Sequence, residues 1–418
     1  MRKMRDSGIA WIGVIPQDWE IVRTKSLYCS AKEIAGDRAD DFERLALTLN
    51  GVIKRSKEDS VGLQPEKFSG YQILKKGELV FKLIDLENVA TSRVGLSPYT
   101  GIVSPAYIVL SKQSRAKDLV VRYSMYHFLS MWQREIFNQM GDNGVRSSLN
   151  AKELLNIPHP FPSIYEQKRI VTFLDAQCAE IDAVLEKTRA SIEEYKKLKQ
   201  AVITQAVTKG IRGDRPMKDS GIEWIGDIPK SWEVSSVRYI GQLQNGISKG
   251  GEFFGKGFPF VSYGDVYKNY ELPHSVSGLI DTTEDERATY SVEYGDIFFT
   301  RTSETIEEVG FSCVCKRSIP NATFAGFIIR LRPFCADEKI LTDYAKYYFR
   351  GEHIRAYLVK EMNLVTRASL GQTLLKGMSV IVPPKSVQKE IAEYLDDKCA
   401  DIDALVAKKQ QYLTEIEN

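Results

Sequence analysis

The sequence predicts an α+β fold built from two copies of one unit, in which strands come first and helices follow. Residues 4–21 and 217–234 read MRDSGIAWIGVIPQDWEI and MKDSGIEWIGDIPKSWEV, with twelve identities in eighteen positions. A long helical run at 163–209, without internal Gly or Pro, is repeated at 386–416, 221 positions further on. We therefore expect an internal duplication rather than a chain of unrelated domains.

Composition limits the classes of function that the chain can have. The 418 residues carry a net charge of only +2, so nucleic-acid binding needs a local basic patch rather than a polybasic chain. The six cysteines have no regular spacing and are typical of buried thiols in a reducing compartment. Because the N-terminus lacks a signal-peptide pattern and no apolar stretch approaches the length of a membrane span, the sequence predicts a cytoplasmic protein.

Each repeated N-terminal segment carries two tryptophans, Trp11 and Trp19 in the first copy and Trp224 and Trp232 in the second. Such a composition suits an irregular segment that aromatic side chains anchor to a surface, by core packing or by partner binding. Predicted strands follow at 45–52, 77–81 and 104–110 and at 258–263, 295–299 and 324–331, and predicted helices at 119–140 and 340–359.

The two long helices carry a narrow apolar seam with steps of three and four residues, which is typical of a coiled coil. The seam runs through Ile170, Leu174, Cys178, Ile181, Leu185, Thr188, Ile192 and Tyr195, and through Ile391, Leu395, Cys399, Ile402, Val406, Lys409, Leu413 and Ile416. Since both seams are in the same register, the two helices can pack together. The second run ends at Asn418, which aligns with Lys197, so residues 198–209 have no counterpart.

No pattern in the sequence indicates catalysis, a cofactor or a metal. Gly250 to Lys256 has the spacing of a phosphate-binding loop, but Gly257 stands where that loop needs a Ser or Thr hydroxyl. Cys313 and Cys315 are too closely spaced for a structural zinc site and lie in a strand-like pattern. The four histidines stand in no recognisable triad context. We therefore expect neither metal nor cofactor.

Basic residues recur beside Gly, Ser and Thr in the predicted loops. For any one of them the default interpretation is solvated surface. As a set they favour a surface that holds phosphates with Lys and Arg and reads base edges with forked side chains. The candidate DNA-binding residues are Lys54, Arg55, Lys82, Arg93 and Arg146 in the first half, and Lys249, Lys256, Arg301, Thr302 and Arg367 in the second.

Three features together resemble the specificity subunit of type I restriction-modification systems, over the whole chain: DSGIxWIGxIPxxW near the start of each half, Arg-x-Ser-Leu at 146–149 and 367–370, and EQKRIVTFLDAQCAEIDAVLEK in the first long helix. The resemblance implies two α/β target recognition domains, at 1–160 and 211–382. It also implies that two spacer helices, at 161–210 and 383–418, form an antiparallel coiled coil that relates the duplicated halves by a pseudo-twofold.

The resemblance further implies a non-catalytic subunit that binds double-stranded DNA and recognises a bipartite, asymmetric target. Its partners are two modification (methyltransferase) subunits and ATP-dependent restriction subunits, and it holds no cofactor itself. Two alternatives stay open at this point. A methyltransferase or nuclease with its own active site requires motifs that are absent here, since Val382-Pro-Pro-Lys385 is not the methyltransferase motif. A purely structural coiled-coil scaffold leaves the basic loops unexplained.

Overall fold

A computed structural model describes residues 2–58, 67–84, 86, 94–140, 148–213, 215–303, 309–361 and 368–417, and of residues 303 and 368 it gives the backbone alone. The chain forms two compact units, Met1–Ala183 and Val184–Asn418, called the first and second unit below. The predicted boundaries of four segments stay a prediction. In the part of the chain that is described, no helix combines the length and the apolar character that a membrane crossing requires.

Within its described residues the first unit contains twelve strands, and the long helix α4 begins in it. The strands are β1 (Met4–Asp6), β2 (Val14–Pro16), β3 (Glu20–Arg23), β4 (Tyr28–Cys29), β5 (Arg44–Thr48), β6 (Gly51–Arg55), β7 (Gln72–Leu74), β8 (Leu79–Phe81), β9 (Val94–Leu96), β10 (Gly101–Val103), β11 (Ile108–Lys112) and β12 (Pro158–Phe161). The helices are α1 (Thr24–Leu27), α2 (Val121–Gln133), α3 (Ala151–Asn156) and α4 (Ile164–Lys209), which continues into the second unit.

The second unit repeats this order in outline. Its strands are β13 (Met217–Asp219), β14 (Asp227–Pro229), β15 (Glu233–Ser236), β16 (Gly241–Asn245), β17 (Phe254–Val261), β18 (Gly278–Ile280), β19 (Ile297–Thr300), β20 (Thr302–Ser303), β21 (Ser312–Val314), β22 (Thr323–Phe324), β23 (Ile328–Pro333), β24 (Ala368–Ser369) and β25 (Ser379–Val382). Its helices are α5 (Tyr263–Lys268), α6 (Glu284–Thr289), α7 (Thr342–Tyr348), α8 (Glu352–Glu361), α9 (Gln372–Gly377) and α10 (Lys385–Glu417).

Strand pairing places the described strands in antiparallel sheets and in mixed ones, in which β5 and β10 and also β17 and β22 are parallel. In the first unit the four-stranded orders are β6-β5-β10-β7 and β4-β11-β8-β9. In the second unit they are β16-β23-β19-β21 and the three-stranded β18-β17-β22. Each sheet buries Val, Ile, Leu and Phe against helices or against its own inner face. The result is the α+β class that the sequence predicts, with both units built alike.

The duplicated N-terminal segments form the same small structure twice. Met4 pairs with Pro16 in the antiparallel β1-β2 ribbon, and Met217 pairs with Pro229 in β13-β14. The next strand of each unit, β3 or β15, pairs with the strand that precedes the long helix, β12 or β25. This pairing closes each unit by joining its beginning to its end.

A buried glutamine near the start of each long helix fixes that closure. The Gln167 amide donates to the Asp118 and Pro162 carbonyls and accepts from the Val120 N–H. The Gln388 amide makes the same three bonds 221 residues later, to Lys339, Pro383 and Leu341. Because α2 and α7 begin directly after Val120 and Leu341, each glutamine joins the long helix to the first turn of its neighbour.

The long helices match the sequence prediction within one residue, and within the second unit they run antiparallel. Lys199 of α4 pairs with Asp403 of α10 at 2.6 Å, and Arg189 pairs with Glu417. Increasing residue numbers along α4 are therefore paired with decreasing residue numbers along α10, as in an antiparallel pair. Between these pairs the Lys409 ammonium lies 5.7 Å from the Tyr195 ring centroid, so two predicted seam positions meet.

Several predicted element boundaries were wrong. The strand predicted at 45–52 is the β5-β6 hairpin, because Asn50-Gly51 forms a turn and Gly51 adopts a φ of +85°. The helix predicted at 119–140 ends at Gln133, before Glu135 with a φ of +54°. The helix predicted at 340–359 is interrupted around Gly351 and forms α7 and α8.

Candidate nucleic-acid interface

The Ser-Leu end of the Arg-x-Ser-Leu motif lies in the same place in both units, against the residues that follow a central strand. In the first unit the Leu149 N–H donates to the Leu83 carbonyl at 2.9 Å, and Ser148 bridges to Ile84. In the second unit the Leu370 N–H donates to the Arg301 carbonyl at 2.7 Å. Leu83 and Arg301 therefore occupy equivalent positions beside the motif, and Lys82, like Arg301 a predicted DNA-binding residue, immediately precedes Leu83.

At this edge of the second unit five polar residues form a cluster: Asn245, Arg301, Thr302, Ser369 and Gln372. Thr302 pairs with Ser369 across β20-β24, and the Gln372 amide donates to Asn245 Oδ1 at 2.8 Å. The Arg301 guanidinium lies 3.4 Å from the Gly326 carbonyl, and all five residues are half-buried. This polar cluster combines a guanidinium, two amides and two hydroxyls, which are the groups that read base edges.

Sequence reasoning missed two members of the polar cluster, Asn245 and Gln372. Asn245 ends β16 and Gln372 begins α9, so they are brought together by an antiparallel sheet and a helix start that lie 127 positions apart in the chain. The only local sequence signal for these two residues was that each is an amide next to a glycine at the end of a strand or the start of a helix: Asn245 precedes Gly246, and Gln372 follows Gly371. That signal is weak, because polar residues are common at such ends.

Lys249 and Lys256, both predicted DNA-binding residues, have different environments. The Lys249 ammonium donates to the Asp281 carbonyl at 2.9 Å and to Glu286 Oε2 at 2.6 Å, and its side chain is only 14% exposed. Hydrogen bonding from Lys249 in turn lowers the pKa of the Glu286 carboxyl. The charge of Lys249 is therefore neutralised within the unit.

Lys256 instead extends from a glycine bulge in β17. Its side chain is 64% exposed, and its ammonium lies 3.9 Å from Asp281. Gly255 and Gly257 adopt φ values of +84° and +89°, and a Cβ at Gly257 would come 2.6 Å from the Ile280 carbonyl. The two glycines therefore set the bulge that presents Lys256 to solvent.

The basic residues of the first unit lie among acidic ones. Lys54 pairs with Glu43 at 2.6 Å and its ammonium lies 5.1 Å from the Tyr99 ring centroid. Hydrogen bonding to Glu43 raises the pKa of Lys54. Arg55 lines a concavity of about 590 Å³ whose charged residues are Arg44, Lys54, Arg55 and Lys57 opposite Asp40, Asp41, Glu43 and Glu58. Charges of both signs thus alternate on this hairpin surface.

Lys82 is half-buried directly after β8. The remaining predicted contacts, Arg93, Arg146 and Arg367, lie outside the described residues. Their role stays a prediction from the sequence motif.

The buried titratable groups have a structural role. Burial lowers the pKa of His159 to about 4 and that of His353 to about 3, and it lowers that of His127 as well. Burial raises the pKa of Cys315 to about 12, so its thiol is protonated at neutral pH. Among the described residues no group of three or more His, Cys, Asp or Glu side chains is placed to hold a metal ion.

The seam residues of the long helices divide into two groups. Ile391, Leu395, Cys399 and Ile402 are buried, and the first three lie in the core of the second unit. Ile170 and Leu174 are half-buried beside the N-terminal segment of the first unit. Further along, Leu185, Val406 and Leu413 are half-buried, Ile192 is buried and Ile181 is 47% exposed. The first residues of the predicted seam on α10 therefore belong to the hydrophobic core of the second unit.

Comparison with known proteins agrees with this architecture. Residues 229–415 match a family described as the type I restriction modification DNA specificity domain. The MjaVIII type I restriction enzyme specificity subunit of Methanocaldococcus jannaschii is 23% identical over 412 residues, which cover 96% of this chain and 90% of that protein. The EcoKI specificity subunit of Escherichia coli K12 is 25% identical over 313 residues, 73% of this chain and 64% of that one.

A solved chain described under "Structural basis underlying complex assembly and conformational transition of the type I R-M system" has the same fold. Its TM-score is 0.68 at 15% identity, and the match covers 96% of this chain and 95% of that one. The duplicated α+β fold, the antiparallel helices and the matched second half define a DNA sequence-recognition protein. The chain is therefore similar to the specificity subunits of type I restriction-modification systems, and its residues 229–415 match the DNA specificity domain of that family. Since such subunits recognise DNA and do not catalyse, the prediction of a non-catalytic subunit is confirmed.

Proposed function

We propose that each unit reads one half of a bipartite, asymmetric DNA target, and that the chain directs methyltransferase and restriction subunits to that target. The proposal rests on one contrast: the two units share the same arrangement of strands and helices but carry different residues at the strand end beside the motif. Both units place the Ser-Leu end of the motif against the same strand end, yet Leu83 stands at this position in the first unit and Arg301 in the second. Two different surfaces on one frame are what two different half-sites require.

Within this proposal the DNA contacts divide by chemistry. Lys256 is a phosphate contact, because an exposed ammonium on a bulge reaches a backbone without reading a base. The polar cluster reads base edges of the half-site that the second unit recognises. Lys249 supports the fold of this surface, since its ammonium is already satisfied by Asp281 and Glu286.

In the first unit the proposed contacts are Lys54, Arg55 and Lys82, together with Arg93 and Arg146 on the sequence motif alone. Lys54 binds Glu43 in the free chain, so contact with a phosphate requires that pair to open. Exposed ion pairs are weak, about 0 to 1 kcal/mol, which makes such an exchange accessible. We expect this unit to bind DNA less tightly by itself than the second unit.

The proposed partners are double-stranded DNA, two modification subunits and the restriction subunits. The proposed division is into recognition domains at 1–160 and 211–382 and spacer helices at 161–210 and 383–418. The repetition supports two modification subunits, because the β1-β2 and β13-β14 ribbons have the same pairing and nearly the same sequence. Two like surfaces on one chain suit two copies of one partner.

The test is methylome sequencing of cells that express this chain with its modification subunit. The expected result is methylation at one interrupted, asymmetric sequence. Gln372→Ala should relax that sequence in one half only, whereas Gln410→Ala, an exposed glutamine on α10, should leave it unchanged. Methylation at an uninterrupted site, or a Gln372 variant that alters both halves, would refute the proposal.

A further inference from the structure

An exposed phenylalanine lies directly beside the polar cluster of the second unit. Phe327 precedes β23 and is 62% exposed. The Arg301 N–H donates to the Phe327 carbonyl at 2.8 Å, and Thr300 pairs with Ile328 one position further along the strands. Arg301 and Phe327 therefore continue the antiparallel β19-β23 pairing, in which opposite residues have Cβ atoms about 5 Å apart. Phe327 and the polar cluster thus belong to one surface.

The turn that carries Phe327 is fixed by its backbone. The Ile328 N–H donates to the Ala325 carbonyl at 2.9 Å and closes the turn. A Cβ on Gly326 would come 2.2 Å from the Ser248 hydroxyl oxygen, so the turn packs closely against the segment that follows β16. A rigid aromatic side chain on a fixed turn loses little entropy when it binds a partner. The structure therefore presents Phe327 ready for contact.

Exposure by itself does not identify a contact, because single apolar side chains are common on protein surfaces. Phe334 illustrates this at the other end of the same strand, where it is 63% exposed and its N–H donates to the Ile240 carbonyl. The six residues of β23 separate the two phenylalanines by about 20 Å. Phe327 differs from Phe334 in its position beside Arg301, which makes Phe334 a matched control.

The first unit has a half-buried tyrosine at the corresponding place. Its sheet β4-β11-β8-β9 and the sheet β16-β23-β19-β21 of the second unit are built in the same order, so β11 corresponds to β23. Tyr107 directly precedes β11 and packs against a hydrophobic cluster that includes Leu45 and Val80. At this position the exposed ring is thus a feature of the second unit, as expected for a residue that reads one half-site alone.

The chemistry of a phenyl ring restricts what Phe327 can recognise. In the major groove the base pairs present one apolar group, the C5 methyl of thymine, among hydrogen-bond donors and acceptors. Contact between this methyl group and the ring removes apolar surface of both partners from water. The polar cluster supplies a guanidinium, amides and hydroxyls for the neighbouring polar edges. Phe327 therefore adds the one kind of contact that the cluster does not make.

We propose that Phe327 is a specificity-determining residue of the second unit that contacts the methyl group of a thymine in the major groove. This inference rests on the proposed function, since it names a base within the half-site that the second unit reads. Base pairs are stacked about 3.4 Å apart, so a neighbour of Arg301 meets a thymine within about two base pairs of the base that Arg301 contacts. The competing mode is insertion of the ring between base pairs as a wedge, which needs no methyl group.

The first experiment selects DNA from two random duplex libraries, one prepared with thymine and one with uracil, which lacks the methyl group. The protein is the full chain in complex with its modification subunits, and Gln372→Ala identifies the half-site of the second unit. Phe327→Ala should lose the preference for a T·A pair at one position of that half-site, close to the position that Arg301→Ala relaxes. The parent should lose the same preference in the uracil library, and Phe334→Ala should select the parent sequence from both libraries.

The second experiment replaces that single thymine by uracil in the selected duplex and measures affinity by fluorescence anisotropy. Loss of the methyl group should weaken binding by the parent and by Phe334→Ala about threefold to tenfold, the range expected for one buried methyl group. It should not weaken binding by Phe327→Ala, which has already lost the contact. The comparison of the two duplexes with the parent requires no variant to fold.

The outcomes separate this inference from the proposed function. A parent complex that selects no interrupted sequence would refute the proposed function and this inference with it. An interrupted sequence that Phe327→Ala selects unchanged, or a second-unit half-site without an A·T pair, would overturn this inference alone. The inference also fails if Phe327→Ala relaxes a position at which the parent binds uracil as tightly as thymine, because that result indicates a wedge.

Discussion

Lys256 and Lys249 offer a direct test of how the second unit holds DNA, because two lysines seven positions apart have opposite environments. Lys256→Ala removes an exposed ammonium from a bulge whose shape is set by Gly255 and Gly257. Lys249→Ala removes an ammonium that already binds Glu286 and the Asp281 carbonyl. The first change should act on DNA binding, and the second on folding.

The magnitude follows from counterion release. Neutralising one phosphate of duplex DNA contributes about 0.9 to the slope of log K against log salt. Loss of that contact in Lys256→Ala should reduce the slope by about 0.9 and the affinity by about eightfold at 0.1 M salt. Because the contact is with the backbone, the loss should be the same for any duplex sequence.

The assay is fluorescence anisotropy of a labelled random-sequence duplex with the purified chain, at salt concentrations from about 50 to 200 mM, where the slope is measurable. Lys389→Ala is the matched control, because Lys389 lies on α10 with a side chain that is 73% exposed and the change in net charge is identical. Lys249→Ala should keep the parent slope and lower the melting temperature. A Lys256 variant with the slope of the Lys389 variant would refute the assignment of Lys256 to a phosphate contact.

Three further predictions concern the stability of the fold and the independence of the two units. Gln388→Met removes a fully buried amide that binds the Leu341 N–H and the Lys339 and Pro383 carbonyls, and it should lower the free energy of unfolding by about 2 to 4 kcal/mol. Exposed Gln410→Met should change that free energy by less than about 0.5 kcal/mol in urea titrations. Burial lowers the pKa of His159 from 6.5 to about 4, so the unfolded chain takes up a proton first, and stability should fall as pH drops through this window. His127 and His353 add slopes of the same sign, so the total slope should be smaller by roughly 1.4 kcal/mol per pH unit in His159→Gln, measured by urea titrations at each pH. Exchange of residues 22–145 for the same region of another specificity subunit should change one half of the methylated sequence, and methylome mapping that finds both halves changed would contradict modular units.

The long helices were predictable because the signals that define them are local. An uninterrupted run without Gly or Pro, with an apolar residue at every third or fourth position, predicted 163–209, and α4 spans Ile164–Lys209. The hairpin at β5-β6 also had a local signal, Asn50-Gly51, which was absorbed into one predicted strand. The break between α7 and α8 had only Gly351 as its signal, since the aromatic pattern continues across it.

The interface was less predictable because a charge acquires its role from residues far away in the sequence. Lys249 and Lys256 both stand in a Gly-rich loop, and nothing near them distinguishes the two. Glu286, which binds Lys249, is 37 positions away and reaches it from the start of α6. Composition alone predicts a basic loop, whereas the number of ammonium groups left for DNA depends on such long-range pairs.

The duplication separates what both units must share from what each can change. Tyr126 donates to Asp175 at 2.5 Å, and Tyr347 donates to Asp396 at 2.7 Å, so both partners of this contact recur 221 positions apart. These bonds tie α2 and α7 to the long helices that follow them. They belong to the structure that both units share and not to the strand ends beside the Ser-Leu end of the motif. A substitution at Arg301 therefore changes the proposed DNA-reading edge without breaking these contacts. On the proposed function, a unit can then recognise a new half-site while the contacts that both units share stay unchanged.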